Sequence, residues 1–482
     1  MLRSLRRLVC FSSKPCEPTD ASDIHNVIRM IEAPARFQSR IASPSIQTHT
    51  TIQPRASIPP SCNISTHTDS SDASDEETEA TTVSIASDTP LPKTFAKSTA
   101  THLITPYISI LQADGTLKAP QVSFDGYGSY GGRYAPESIM GFLYELTSFF
   151  EATVSDPSFW LEYATFQGSR RTQLHMASKL TSLAGGATIW LKREDQNEYG
   201  THKARNIVGQ LLLARRMGRS EVVTDCASAK HGTFTAAMCA RLGLSCVIVM
   251  GADDANAQLD DRPSGLGSLR AAITEALRYS VCNYQSAYYL MGSPVGPSPL
   301  PTLARTFQGL LGEEVAAQMQ EVGCKPDALV TAVGSGSGAI GLFRPFLHDL
   351  SVRLVGVEAA MAGALTDGEL GVLQGARTLL LQTNEGQILD SHSISPDMNL
   401  STVGPEVAHW KDSGRIEIST ATDADALDGF KTLQHHEGIL SGLDSSHAVA
   451  KAIGLARELG PGKNVVLMVT GCDNIDMRGL AV

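Results

Sequence analysis

The chain has 482 residues, a formal net charge of −11 and only 18% charged side chains. The acidic balance argues against a nucleic-acid-binding protein, which needs a basic face for the phosphate backbone. No apolar run reaches the roughly 18 residues of a membrane span. The nine cysteines include no CxxC pair, so neither a disulfide framework nor a metal site is predicted. The 42 glycines and 42% hydrophobic residues favour an α/β enzyme of two or three domains.

Residues 1–118 differ in composition from the rest of the chain. They are rich in Ser, Thr, Pro and Asp, and they include the acidic block DSSDASDEETE at 69–79. Such a segment buries too little apolar surface to offset the entropy lost on ordering, so we expect a disordered extension. Residues 1–15, MLRSLRRLVCFSSKP, resemble an organellar transit peptide, and a disordered basic end is the alternative. We expect a cytoplasmic protein, or a mitochondrial one if residues 1–15 target it there.

From about residue 122 onward, short apolar runs alternate with stretches whose apolar residues recur at helical spacing. This alternation predicts βαβ units and a mostly parallel sheet covered on both faces. The predicted strands lie at 187–192, 221–224, 245–250, 328–333, 352–358 and 464–470. The predicted helices lie at 202–217, 232–242 and 340–347.

Three segments that follow predicted strands carry candidate chemistry. Lys203 opens a helix just after a glycine and a threonine. A lysine in this place can form a Schiff base with a carbonyl cofactor, although an ordinary helix start also explains it. The segment AVGSGSGAIG at 332–341 suits a phosphate, or is simply a tight strand-to-helix turn. The segment DCASAKHG at 225–232 would suit a carboxylate at a helix start.

Taken together and in this order, the segments resemble the β subunit of tryptophan synthase, a family of pyridoxal-phosphate enzymes of the type II fold. The resemblance covers roughly residues 122–482. Its motifs are SYGGRYAPE, LKREDQNEYGTHKARN, MGSPVGPSPLPT, FQGLLGEE, VGVEAA, VGPEVAHWKDSGR and DSSHAVA. It implies an α/β fold with two interleaved three-layer α/β/α subdomains and the cofactor in the cleft between them. The catalytic domain would span 119–482, with a shortened lid subdomain near 252–270, where a helix and a strand of the family are missing.

The resemblance also implies the cofactor, pyridoxal phosphate, and the residues that bind it; it implies no metal. Lys203 would carry the cofactor and act as the catalytic base. Thr470 would hydrogen-bond the pyridine nitrogen, and a neutral hydroxyl there favours elimination and replacement at the β-carbon. Gly338 stands where the family has an asparagine of the phosphate loop. The other implied cofactor contacts are His202, Asn206, Gly334, Ser335, Gly336, Ser337, Gly338 and Glu358.

On the substrate side, this sequence departs from the family. Asp225 replaces the catalytic glutamate and is one methylene shorter, a displacement that can lower the rate. Lys230 replaces a glutamine, and its positive charge would suit a second carboxylate. Asn399 replaces an aspartate that contacts the substrate hydroxyl. The implied carboxylate loop comprises Cys226, Ala227, Ser228, Ala229, Lys230 and His231.

The resulting functional hypothesis is β-elimination and β-replacement on a serine-like amino acid through an aminoacrylate, with indole or another small nucleophile as acceptor. A divergent paralogue in specialised metabolism fits these departures better than the housekeeping enzyme. Two alternatives remain open: a serine or threonine dehydratase or cysteine-synthase-like reaction, and a cofactor-binding paralogue without catalysis. The resemblance implies a homodimer. The shortened lid predicts no complex with an α subunit, and no nucleic-acid or membrane partner is expected.

Overall fold

The computed structural model describes residues 28–33, 126–166, 170–251 and 268–472, and all of them belong to one compact unit. The strands predicted from sequence are confirmed, with ends that shift by one or two residues. Their near-continuous apolar runs are typical of parallel strands covered on both faces. The strands are β1 (Ile28–Ala33), β2 (Leu174–Met176), β3 (Thr188–Arg193), β4 (Glu221–Cys226), β5 (Ser245–Gly251), β6 (Ala287–Leu290), β7 (Ala328–Ala332), β8 (Arg353–Ala359), β9 (Glu369–Leu373), β10 (Ala376–Leu380), β11 (Glu417–Ala421) and β12 (Asn464–Val469).

The three helices predicted from sequence are confirmed as α4, α5 and α9, with ends that differ by up to four residues. Further helices enclose the sheets. Several of them end at a left-handed glycine, as Gly243 ends α5 with φ 71°. The helices are α1 (Glu137–Val154), α2 (Pro157–Tyr163), α3 (Ser178–Ala184), α4 (Ala204–Arg216), α5 (Ala229–Leu242), α6 (Ser268–Cys282), α7 (Leu300–Gln308), α8 (Leu310–Glu321), α9 (Ser337–Phe343), α10 (Ala364–Asp367), α11 (Pro405–Asp412), α12 (Asp423–Glu437), α13 (Leu443–Ser446) and α14 (Val449–Leu459).

Two sheets organise the described residues. The first has the strand order β1-β5-β4-β6, with every pair parallel. The second has the order β11-β8-β7-β12-β3-β2, in which only β2 runs antiparallel to its neighbour. A separate hairpin pairs β9 with β10. Parallel order requires crossover connections, and the helices between the strands supply them.

Each sheet has its own apolar core. Val223 of β4 and Leu211 of α4 are buried in the core around the first sheet, together with Phe307 of α7. Leu467 of β12 lies in the core on one face of the second sheet, and Val466 lies in the core on the other. The fold is therefore an α/β architecture of two helix-covered sheets, as expected.

Strand β1 contradicts part of the predicted disordered extension. Residues 28–33 pair with the whole length of β5, from Ile28 opposite Cys246 to Ala33 opposite Gly251. The averaged composition of residues 1–118 hid this short run, IRMIEA, because one strand needs only a few apolar residues when a sheet edge receives it. The remaining residues of 1–118 lie outside the described ranges.

The predicted lid near 252–270 lies mostly outside the described residues, which resume at 268 with α6. No helix in the described part of the chain is both long and apolar enough to cross a membrane. The described ranges also contain no cluster of three or more side chains suited to hold a metal ion.

The carboxyl ends of the parallel strands carry most of the predicted site residues. Asp225 and Cys226 end β4, Glu358 lies near the end of β8, and Thr470 follows β12 directly. Ligands of open α/β sheets bind at this end, because the loops there are free to carry chemistry.

Candidate cofactor and substrate site

Lys203 lies at the start of α4, where the structure pairs its amine with a carboxylate. Its Nζ donates to Asp397 Oδ1 at 2.9 Å. Burial alone would lower the pKa of Lys203, but Asp397 outweighs it, and the net pKa is raised above the ordinary lysine value. Burial likewise opposes the charged form of Asp397, but Lys203 and Lys230 outweigh it and hold its pKa below the usual range. The two side chains therefore form an ion pair.

The loop at 334–338 forms a glycine cradle, and its glycines stand where the structure leaves no room for side chains. A Cβ at Gly334 would collide with the carbonyl oxygen of Asp397. At Gly338 it would lie 2.7 Å from Met468 Cε. Gly336 has φ 97°, a conformation that favours glycine. Because Ser337 begins α9, the first N–H groups of that helix have no partner within it and can face a phosphate.

His202 joins this cradle from the side of Lys203. Its Nε2 lies 2.9 Å from Ser337 Oγ. Its Nδ1 is buried and has no hydrogen-bond partner among the described residues. Burial, followed by the charge of Lys203, lowers the pKa of His202 to about 4. His202 is thus a neutral imidazole beside the loop, and its Nδ1 is available for a hydrogen bond.

Thr470 is buried at the end of β12, and its hydroxyl donates to Asp444 Oδ1. Its backbone N–H donates to Ser445 Oγ at 3.2 Å. Both partners come from α13. The hydroxyl that the resemblance assigns to the pyridine nitrogen is therefore oriented by a carboxylate, and it keeps the capacity to accept one hydrogen bond.

The carboxylate loop leaves the start of α5 uncapped. Ser228 is the residue before the helix, yet its side chain makes no capping hydrogen bond to the helix backbone. Its Oγ donates instead to Asp397 Oδ2 at 2.9 Å. The first N–H groups of α5 thus lack the usual side-chain acceptor. The uncapped start of this 14-residue helix suits the carboxylate of an amino acid.

The other side chains of this loop are held by the protein. Lys230 Nζ donates to the carbonyl oxygen of Gly471 at 2.9 Å, which ties α5 to the end of β12. His231 Nε2 lies 3.0 Å from Thr224 Oγ1, and burial lowers its pKa to about 3. The Cys226 thiol contacts the carbonyl oxygen of Ser228 at 2.7 Å, and burial raises its pKa. Lys230 therefore supplies a positive charge inside the site, while its amine is anchored to the backbone.

Asp225 is a buried acid with a single prominent side-chain donor. Tyr289 of β6 donates its hydroxyl to Asp225 Oδ1 at 2.7 Å. Burial raises the pKa of Asp225, and the Tyr289 hydrogen bond and the charge of Lys203 partly oppose that rise. A carboxyl group with a raised pKa is better suited to general acid–base exchange than an ordinary aspartate.

Two residues predicted to contact the cofactor are engaged by the protein itself. Asn206 Nδ2 donates to Met291 O at 2.8 Å, and its Oδ1 accepts from Gln210 at the same distance. Glu358 accepts from the N–H groups of Leu365 and Thr366 at 2.8 and 3.0 Å. Burial raises the pKa of Glu358 to about 7. Asn206 thus anchors the chain after β6, and Glu358 holds the start of α10.

A buried ionic cluster supports the first turn of α4. Arg205, two residues after Lys203, pairs with Glu194 and, at 2.8 Å, with Glu314. Glu314 also pairs with Lys192 at 2.7 Å. All four side chains are essentially inaccessible to solvent. Because each charge has an opposite partner, the cluster fixes the backbone from which Lys203 extends.

Sequence reasoning missed two acid–base partners, Asp397 and Tyr289. The substitution at Asn399 suggested that the site had lost a carboxylate. In the structure, the Asn399 side chain accepts from Ser391 at 2.8 Å, while Asp397, two residues earlier, reaches Lys203. The available signal was the SPDMN run, in which an acid appears just before the lost one. For Tyr289, the signal was a tyrosine in a buried strand, whose hydroxyl needs a partner.

The glycine cradle, the unpartnered Nδ1 of His202 and the neighbouring Lys203 fit a phosphate-bearing carbonyl cofactor. The uncapped start of α5 adds a place for a second anionic group. These features define the class of the protein as a cofactor-dependent α/β enzyme.

Comparisons with known proteins agree with this class. The family model "Pyridoxal-phosphate dependent enzyme" matches residues 165–471. The chain is 41% identical over 380 residues to tryptophan synthase of Saccharomyces cerevisiae, a match that covers 74% of this chain. The chain spans about half, 54%, of that relative's length. A solved structure of the threonine deaminase of T.th. aligns with 18% identity and a TM-score of 0.47, covering 69% of this chain and 98% of that one.

This chain belongs to the family of pyridoxal-phosphate dependent enzymes, and its cofactor is pyridoxal phosphate. The fold is the type II fold that the sequence motifs implied. The expectations about fold and cofactor are confirmed; the roles of individual site residues remain predictions.

Proposed function

We propose that this enzyme removes and replaces a substituent at the β-carbon of a serine-like amino acid. The observation that carries the proposal is the convergence of three groups around Lys203. These are the glycine cradle at 334–338, the uncapped start of α5 and the buried Asp225, which lies close enough to Lys203 to affect its pKa. The relative named tryptophan synthase supports the same class of reaction.

When bound through its aldehyde to Lys203, pyridoxal phosphate supplies an electron sink for bonds at the substrate α-carbon. The residues of this chain then divide the remaining tasks. The N–H groups at the start of α5 bind the substrate carboxylate, because Ser228 leaves them uncapped. Lys203 Nζ removes the α-proton. Asp225 gives a proton to the group that leaves the β-carbon and takes one from the nucleophile that adds there.

Thr470 completes the arrangement at the far end of the cofactor. Its hydroxyl donates to Asp444; because an unprotonated pyridine nitrogen is an acceptor, the hydroxyl would turn and donate to it, and it offers that nitrogen no negative charge. Without a charged partner the nitrogen is not held protonated, and the electron sink stays moderate. A moderate sink favours elimination and replacement at the β-carbon over other cofactor reactions.

The test uses purified full-length protein, offered serine, threonine and related amino acids. The expected result is an absorbance change with a serine-like substrate, which Lys203→Ala abolishes together with the absorbance of the protein-linked cofactor. Addition of indole or a thiol should then consume the absorbing species. Release of a keto acid without added nucleophile would show a dehydratase. A cofactor-loaded protein that responds to no amino acid would contradict catalysis, and a Lys203→Ala variant with unchanged absorbance would contradict the lysine assignment.

The proposal extends to assembly. We infer a homodimer that works without an α subunit, in keeping with the missing helix and strand after residue 254 of the sequence. A stable complex with an α subunit in a pull-down, or a monomer in analytical ultracentrifugation, would contradict it.

A further inference from the structure

Asp397 connects two parts of the site, the start of α4 and the start of α5. It lies in a single 3-10 turn, Pro396–Met398. Its Oδ1 accepts from Lys203 Nζ and its Oδ2 accepts from Ser228 Oγ, both at 2.9 Å. One carboxylate thereby holds the cofactor lysine with one oxygen and the start of the carboxylate loop with the other.

The backbone of Asp397 is fixed as firmly as its side chain. Its carbonyl oxygen fills the space where a Cβ of Gly334 would lie. The side chains of Asp397 and Lys203 are only 15% and 14% exposed. Water therefore has little access to the ion pair, and the attraction is less screened than at a surface.

Further charged and titratable groups surround this ion pair. Apart from Asp397, the acids that face Lys203 are Asp225 and the Cys226 thiol. Lys230 is the second cation that acts on Asp397, and the two imidazoles nearby have lowered pKa values. Around the pair of Lys203 and Asp397 these groups are Asp225, Cys226, Lys230, His202 and His231, with Asp444 and Glu194 acting on His202.

We propose that Asp397 is a positioning residue that holds the Lys203 amine protonated and oriented toward the carboxylate loop until the cofactor aldehyde engages it. Condensation of an amine with an aldehyde needs the neutral amine. The ammonium first gives one proton to solvent, the C–N bond then forms, and the carbonyl oxygen leaves as one water. Asp397 therefore sets the pH at which Lys203 accepts the cofactor. The inference rests on the proposed attachment of the cofactor to Lys203.

The position of the carboxylate, two residues before Asn399, carries a specific consequence. The Asn399 side chain faces Ser391, so an acid at 399 is not directed at Lys203. A carboxylate restored at 399 should therefore fail to replace one removed at 397. This separates a defined contact from a general effect of net charge.

The experiment measures the pH dependence of Lys203 acetylation by acetic anhydride in the full-length chain after removal of the cofactor, quantified by peptide mass spectrometry. An opposite charge at this distance shifts a pKa by about 1–3 units. Asp397→Asn should therefore lower the midpoint by at least about one unit, which is ~10-fold more reactive amine well below the midpoint. Asp397→Ala should act in the same direction, so the test survives if one variant does not fold. Asp397→Glu should restore the midpoint, and the double variant Asp397→Asn/Asn399→Asp should not.

The cofactor-loaded protein gives a second readout. In Asp397→Asn, the pH at which the absorbance of the bound cofactor changes should move downward. An unchanged acetylation midpoint in both Asp397→Asn and Asp397→Ala would overturn the inference, as would full rescue by Asn399→Asp. The proposed function fails separately, through a Lys203→Ala variant that keeps the absorbance of the linked cofactor.

Discussion

Replacing Tyr289 with phenylalanine tests how the protein tunes Asp225. The change removes the hydroxyl that donates to Asp225 Oδ1 at 2.7 Å and leaves the ring in its buried place. A hydrogen bond to a charged group contributes about 1.5–3 kcal/mol. At about 1.4 kcal/mol for each pKa unit, the loss should raise the pKa of Asp225 by roughly 1–2 units.

The sign follows from the surroundings of the carboxyl. Burial raises the pKa of Asp225, whereas the Tyr289 donor stabilises the charged form and lowers it. Without the Tyr289 donor, burial raises the pKa of Asp225 further. The limb of the pH–rate profile that Asp225 controls should thus move to higher pH in Tyr289→Phe, with the Asp225→Asn variant identifying that limb by its absence.

The assay is the rate of the serine-dependent absorbance change between about pH 5 and pH 10, the span in which raised carboxyl pKa values are observed. Tyr288→Phe is the matched control, because Tyr288 is equally buried in the same strand but its hydroxyl lies 3.4 Å from Gln210. It should leave both limbs in place. If Tyr289→Phe also leaves both limbs in place, Asp225 is not the proton-exchanging group that we propose.

Two further substitutions, each with a matched control, test the residues that hold the site in place. Gly334→Ala should displace Asp397 and weaken cofactor binding in a fluorescence titration at least tenfold, because its Cβ would collide with the Asp397 carbonyl. Gly454→Ala, at a helical position with open space around it, should instead stabilise the fold by about 0.5–1 kcal/mol. If both variants lost cofactor affinity equally, the assignment of the glycine loop to cofactor binding would be contradicted. Glu314→Ala should lower the free energy of unfolding in urea by about 3–5 kcal/mol, since it leaves buried charges unpaired. Glu321→Ala, which removes a half-exposed partner of a surface ion pair, should cost no more than about 1 kcal/mol, and a Glu314 effect this small would refute a structural role for the cluster.

Periodicity and motif order predicted the second sheet well. The runs that became β7, β8 and β12 are mostly apolar, since both faces of the sheet are covered. The glycines at 334–338 leave a mark in sequence through their backbone requirements, whereas Lys203 was predicted from the resemblance of the segment around it. The placement of these segments at one edge then follows from the parallel order of the strands.

The contacts that tune the site were harder to predict. Asp397 reaches Lys203 across 194 residues of chain, and only the packing of its turn against Gly334 directs it there. Asn206 lies one turn from Lys203, yet its amide is occupied by Met291 and Gln210. Such pairings depend on how separate elements pack, and no local pattern in the sequence encodes them.

Strand β1 illustrates the same limit on a larger scale. It is a six-residue strand, and its partner β5 begins more than 200 residues later. Composition averaged over a long polar segment cannot reveal a run of this length. Only the edge of β5, which offers unpaired backbone groups, gives that run a defined place.

The diverted side chain of Ser228 has a consequence for substrate selection. Because Ser228 turns toward Asp397, its side chain does not cap the backbone donors at the beginning of α5, and they can serve a substrate carboxylate. An ester, an amide or a decarboxylated amine offers them a weaker acceptor or none, and buried donors left without an acceptor cost about 1–3 kcal/mol. We expect such molecules to bind poorly because they leave these backbone N–H groups without an acceptor, and not because of a steric barrier. If the proposed function holds, we therefore expect a free α-carboxylate to be a requirement for substrates of this site.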